Sequence, residues 1–326
     1  FCITVCIVFM FAYYQNLRKE ISVRQEWLET VLTREKKWIL ENQGPEGEIY
    51  MNGSKAGDVN PYFACMAALG LLAETKNCPM TETEQKAVGR YLDWHTGILL
   101  ETDGKMGIYR KESGKLIYKE KVDSEDGYLG MYLFLMGKYL EKTENTDLPE
   151  YWKKGISLAL KKIQSLMRDG ITQVSEENTT AYLMDNLEVW KGLYELEISG
   201  IEDTQAISEI RKKIQRQVEK KFWDDANQRW RIIGNSDLYD QTEFYPDGVA
   251  QIYPLIYEFP VKEKKKQKVL YDQFTESFQW QKLNKKRTGF LWTITGMAAA
   301  QMGDIHNLVE LIGNYEAVGR KRTTAG

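Results

Sequence analysis

The sequence predicts an all-α fold, a ring of helical hairpins with short β-hairpin insertions. Three observations predict it. Beyond residue 20, apolar residues recur almost throughout at helical spacing. Highly charged amphipathic segments at 24–42, 82–100, 150–168, 203–222 and 262–279 alternate strictly with segments rich in apolar and small residues. No stretch rich in Pro, Gly or Ser divides the body, so residues 21–326 read as one domain.

The chain of 326 residues opens on "FCITVCIVFMFAYY", fourteen residues without a charge, followed by "QNLRKE". A membrane span needs about 20 apolar residues. Residues 1–20 therefore read as an uncleaved signal anchor, with a cleaved signal peptide remnant or a buried helix as alternatives. On the first reading the body lies on the extracytoplasmic face of the cell membrane, held there through this segment, or is secreted.

After this segment the two helix types take turns. A helix polar on one face suits an outer ring, wetted on one side. Helices apolar nearly all round suit an inner ring packed on both sides. These inner-type segments begin near 60, 127, 180, 247 and 289: "PYFACMAALGLLAE", "GYLGMYLFLMGKYL", "TTAYLMDNLEVWKGLYEL", "GVAQIYPLIYEF" and "GFLWTITGMAAAQMG". Between them, "MGIYRKESGKLIYKEK" (106–121) reads as a β-hairpin turning at Ser113-Gly114, and "RWRII" (229–233) as a second strand-like piece.

Composition narrows the chemistry. Net charge is −3, which gives no electrostatic reason to expect a nucleic-acid partner. The two histidines, His95 and His306, support neither a His-based zinc site nor a Ser-His-Asp triad. No metal and no cofactor is expected. Cys2, Cys6, Cys65 and Cys78 form no CxxC pair and read as small apolar fillers; a Cys65–Cys78 disulfide has no support in the spacing. Carboxylates and tyrosines are left to carry any reaction.

Those residues sit in the loops that lead into the inner-type helices: "GDVNPYF", "DSEDGYL", "SEENTTAYLMDN", "DQTEFYPDGVAQ" and "KRTGFLWT". In a closed ring the inner helices run parallel, so these loops are expected on one face. Asp58, Asp126 and Asp247 would then meet as catalytic candidates. Each has a plainer reading, since Asp at a helix start caps free N–H groups and suits the helix dipole; Asp123 or Asn60 could also do the capping. Asp185 and Glu188 lie inside an apolar run, where a charge is costly unless paired or used. An internal ion pair with an outer-helix Lys or Arg is the structural alternative for them. Tyr62, Tyr128, Tyr182, Tyr245 and Trp292 recur at equivalent positions, as core residues or as platforms for a flat apolar ligand face.

With "QGPEGEI" (43–49), "NPYFACMAALGLL", "DSEDGY", "YLMDNLEVWKGL" and "YPDGVAQIYP", the chain from about residue 24 to 326 resembles the six-hairpin glycosidase superfamily. The "DSEDGYLGMYLFL" segment is similar to the Asp-bearing helix start of family 8 endoglucanases. The resemblance implies an (α/α)6 toroid, and a ring of six against five counted inner helices implies that the last inner helix is lacking. It also implies a glycoside hydrolase acting on a polysaccharide or oligosaccharide through paired carboxylates. The expected partners are that carbohydrate and the membrane, through the N-terminal segment, with the chain a monomer. Asp58, Asp126 and Asp247 are then the catalytic set. Asn60, Tyr62, Asp123, Tyr128, Tyr182, Asp185, Glu188, Tyr245 and Trp292 are the substrate-binding set. The family's Ser-Glu-Gly acid motif before the first inner helix is absent; "GDVNPYF" stands there. Two other functions fit the same fold: a polysaccharide lyase, and a non-catalytic glycan-binding or exopolysaccharide assembly protein.

Overall fold

A computed structural model describes residues 24–51, 57–112, 115–144, 148–201, 204–234, 236, 238–261, 264–288 and 292–323. Residues 1–20, read above as an anchor or signal remnant, and the Ser113-Gly114 turn lie outside the described residues. Among the described residues no helix is long and apolar enough to cross a membrane. The fold among the described residues is all-α, 64% helical, with strands confined to small sheets, the composition of an α/α toroid with β-hairpin insertions.

The chain packs as two compact units. The first comprises the described part of Phe1–Gly97 together with Gly107–Glu120; the second comprises Ile98–Met106 and the described part of Lys121–Gly326. In the first unit, helix α1 spans 24–41, α2 spans Pro61–Leu72 and α3 runs through Glu82–Glu101, its last turn belonging to the second unit. Asn60 caps α2, its side chain accepting from the Tyr62 N–H at 3.0 Å, and Pro61 supplies a first-turn residue with no N–H to satisfy. A three-stranded sheet orders β1 (Asp58–Val59), β2 (Gly107–Glu112) and β3 (Lys115–Lys121) side by side, as the 106–121 pattern predicts. Cys65 and Cys78 are free thiols, the first buried.

The second unit is a succession of helical hairpins: α4 (Glu125–Thr143) with α5 (Glu150–Leu166), α6 (Leu183–Ile198) with α7 (Thr204–Phe222), α8 (Val249–Ile256) with α9 (Lys264–Phe278), then the short α10 (Lys285–Thr288), and α11 (Thr295–Met302) with α12 (Ile305–Thr323). Burial follows the two sequence types. Helix α4 is buried without a break from Asp126 to Gly137. By contrast α7 buries a single stripe, Ile207, Ile214, Val218 and Phe222, at helical spacing.

Two β-pairs return the chain from an outer helix to the next inner one. Strands β4 (Met167–Arg168) and β5 (Ile171–Thr172) turn through Asp169 and Gly170, both at positive φ, as a tight hairpin requires. Strands β6 (Trp223–Asp224) and β7 (Arg229–Trp230) form the second pair, so "RWRII" is half of a hairpin whose other strand ends α7. Helices α4 and α6 form the most intimate pair. A Cβ on Gly130 would stand 2.7 Å from the Val189 nitrogen, so glycine is what lets the two backbones approach.

Candidate active site

The ten residues "KVDSEDGYLG" place three acids beside one helix start, and the structure sends each to a different environment. Ser124, not an acid, caps α4: its Oγ accepts from the Gly127 N–H at 3.3 Å. Glu125 pairs with Lys121 at 3.4 Å on the surface. Asp123 is exposed. Asp126 is fully buried, its Oδ1 accepting from the Ser124 hydroxyl at 2.8 Å and from the Gly127 N–H at 3.0 Å. Its Oδ2 is enclosed and has no hydrogen-bond partner among the described residues.

Helix α6 brings Asp185 and Glu188 to the same place. Asn186 fixes its start by bracketing β5, accepting from the Thr172 N–H at 2.8 Å and donating to the Thr172 carbonyl at 3.0 Å. Glu188 is buried, and α8 orients it: the hydroxyls of Tyr253 and Tyr257 donate to its Oε1 at 2.7 and 3.3 Å. Gly127 leaves the space between the helices open. A Cβ there would lie 2.6 Å from Glu188 Oε2, 3.0 Å from Ser124 Oγ and 3.5 Å from Asp185 Oδ1. Glycine at 127 is therefore what lets the two carboxyls stand this close to the α4 backbone.

Burial sets the electrostatics. Desolvation raises the Asp126 pKa from 3.8 to about 6, against the opposing pull of the nearby Thr172 hydroxyl and the hydrogen bonds from Ser124 and the Gly127 amide. Asp185 is pushed well above the ordinary range, first by desolvation and then by the like charges of Asp126, Glu188 and Asp123. Part of the Asp185 residue stays accessible while its Oδ2 is enclosed without a hydrogen-bond partner among the described residues. The strongest charges acting on it are other acids, not the Lys or Arg of a buried ion pair. Asp185 thus feels burial and like charge together, both of which favour its protonated form.

An aromatic pair stands beside the acids. Tyr245, half exposed, lies 4.8 Å from Trp292 between ring centroids, tilted by 31°. Phe244 backs Trp292 at 5.7 Å. The Tyr245 hydroxyl is pushed up to about 12, by burial first and then by the charges of Asp185, Asp123 and Glu188. Tyr182 occupies the N-cap position of α6 and also acts on Tyr245. Tyr128 is buried in α4 as a core residue.

The remaining expected residues fall elsewhere. Asp247 Oδ1 accepts from the Asp240 N–H at 2.8 Å and so braces the loop 240–247, a structural use of its carboxylate. Asp58, Asn60 and Tyr62 belong to the first unit. The catalytic-acid expectation for Asp58 needs correction. Its carboxylate is cross-strand from Arg110, accepts from Arg110 Nε at 2.6 Å and from Lys119 Nζ at 2.8 Å, and is held down at about 2 by those donors. A group so ionised is a poor proton donor. Among the described residues no group of His, Cys, Asp or Glu has the arrangement to hold a metal ion.

Sequence reasoning passed over Gly127, Asn186, Tyr253 and Tyr257. The one available signal was the spacing of Tyr253 and Tyr257, four residues apart on an otherwise apolar helix, which puts two phenols on one face.

No family model and no curated protein matches this chain. Two of the solved structures that share its fold are glycosidase variants. One is a glycosidase bearing a Glu-to-Ala substitution, at TM-score 0.62 and 12% identity, covering 87% of this chain and 81% of its own. The other is a glycosidase Glu-to-Ala variant in complex with glucose, at TM-score 0.60 and 11% identity, with the same coverage. The fold is thus similar to that of glycosidases, with no preference for family 8.

Proposed function

We propose that the chain is a glycoside hydrolase in which Asp185 is the general acid. The observation that carries the reading is the setting of Asp185: its carboxyl pushed up by burial and by three neighbouring acids, with an unpartnered enclosed oxygen, beside the Tyr245–Trp292 pair. The likeness to glycosidases supports it at the level of fold. A sugar ring lies with its apolar face on Tyr245 and Trp292. Asp185 gives its proton to the glycosidic oxygen as the bond to the anomeric carbon breaks. Asp123, the exposed acid of the cluster, takes a proton from the water that attacks that carbon. The products are a free reducing end and the released alcohol of the leaving sugar. Asp126 and Glu188, both buried, act through Asp185 as positioning residues.

The lyase alternative needs a base that loses its proton easily, and Tyr245, raised to about 12, suits that poorly. Exopolysaccharides and β-glucans are the substrates to screen first. The extracytoplasmic setting that makes them reachable rests on the uncharged stretch at residues 1–14, and membrane fractionation of the full chain tests it.

The deciding experiment incubates the full chain with such a panel and reads both reducing ends and the absorbance of unsaturated products. Reducing ends without absorbance, lost by at least about a hundredfold in Asp185→Asn, are expected for a missing general acid. Unsaturated products identify a lyase. Sugar binding without any cleavage leaves the glycan-binding alternative.

A further inference from the structure

A cavity of about 270 Å³ opens in the second unit between α7, the β6–β7 pair and the start of α9. None of the acids of the carboxyl cluster lines it. Its walls include Trp223, Trp230, Arg216, Asp225, Lys266 and Gln267. We propose that this cavity is a separate binding site for one pyranose ring of a glycan.

Three features point to a sugar. The indoles of Trp223 and Trp230 meet edge to face at 5.1 Å and 70°, offering an aromatic surface for an apolar ring face. Charged groups of both signs surround it, so hydroxyls that donate and accept at once find both kinds of partner. An inorganic anion would have to sit beside the Asp225 carboxylate, and a purely apolar ligand would strand the charges. The third feature is size: the volume falls just below the range of ligand sites, roughly 300 to 1,000 Å³, and so suits one ring, not a chain.

The site is held in shape before any ligand arrives. Trp223 Nε1 donates to Asp225 at 3.3 Å, and the Lys266 ammonium lies 5.4 Å from the centroid of the Trp223 ring. Gln251 of α8 clamps the Trp230 backbone from both sides, accepting its N–H at 2.8 Å and donating to its carbonyl at 2.9 Å. Gln267 in turn donates to the Gln251 carbonyl at 3.0 Å. The proposal rests on these walls and holds whether or not the carboxyl cluster is catalytic.

Fluorine NMR of the full chain carrying 5-fluorotryptophan tests it. Trp223→Phe assigns the Trp223 resonance. Lys266→Ala, which keeps both indoles, perturbs the same resonance and gives a second assignment. Titration with glucose and, separately, with glucuronate should move the Trp223 signal saturably in wild type and in Asp185→Asn. Lys266→Ala should weaken that response at least fivefold. A response to either sugar alone supports the site and tells whether it takes a neutral or an acidic ring. Three results overturn it: no movement with either sugar, the same movement with inorganic phosphate, or loss of the response in Asp185→Asn.

Discussion

Replacing Asp126 by Asn separates the charge of this buried carboxyl from its shape. The amide oxygen keeps the bonds from Ser124 and Gly127, at 2.8 and 3.0 Å in the native site. The amide nitrogen takes the place of the unpartnered Oδ2, near the Thr172 hydroxyl that also lacks a partner among the described residues. Each pKa unit is worth about 1.4 kcal/mol, so raising Asp126 from 3.8 to about 6 makes its ionised form cost the native state about 3 kcal/mol. A raised carboxyl pKa means the native state holds the proton more tightly than the unfolded chain. Wild type therefore loses this stability as pH climbs from 3.8 through about 6, and lacks it entirely above that window. The amide has no such loss, though burying its own donor takes back roughly 1 kcal/mol. Asp126→Asn should then be more stable than wild type by about 2 kcal/mol at pH 8 and less stable by about 0.5 kcal/mol at pH 4, where the donor penalty outweighs the small gain. Urea denaturation at pH 4, 6 and 8, followed by circular dichroism, measures this. A variant destabilised by the same amount at every pH refutes the reasoning and makes Asp126 an ordinary member of the helix cap. Because the Asp126 charge also raises Asp185, the variant should move the alkaline limb of the kcat/KM profile to lower pH.

Three other outcomes follow from the geometry. Gly127→Ala puts a Cβ 2.6 Å from Glu188 Oε2; it should cost about 1–3 kcal/mol by overpacking and, on the proposed mechanism, depress turnover, read by thermal melts and kinetics. Lys191→Met leaves Glu195, 1% exposed, without the ammonium now 2.8 Å away. A loss of about 3–5 kcal/mol in urea is expected, and a neutral effect would show that Lys138, 3.0 Å from the same carboxyl, suffices. Asp58→Asn breaks ion pairs whose partners Arg110 and Lys119 are 45% and 34% exposed. It should change stability by less than about 1 kcal/mol and leave turnover intact, and loss of turnover would return Asp58 to the catalytic set.

Helix positions, the alternation of outer and inner types and the 106–121 hairpin were legible in the sequence because each depends on residues within a few positions of one another. Periodicity, caps and turns act over one or two helical turns, and Ser124, Asn60 and Pro61 do their work there. The acids were legible as a set but not by role. Asp126, Asp185 and Asp247 all stand at helix starts after polar loops, and no local pattern says which carboxyl is buried, which is paired and which braces a loop. That depends on α4, α6 and α8, elements some sixty residues apart in sequence, closing on one another through Gly127 and Gly130. Desolvation and like charge act through space: the phenols of Tyr253 and Tyr257 reach Glu188 across 65 and 69 residues of chain. Asp58 shows the same limit from the other side, its charge decided by Arg110 and Lys119 on neighbouring strands. The sequence by itself determined the elements and the inventory of acids. Tertiary packing alone decided which of those acids are buried beside one another and which are paired with a cation.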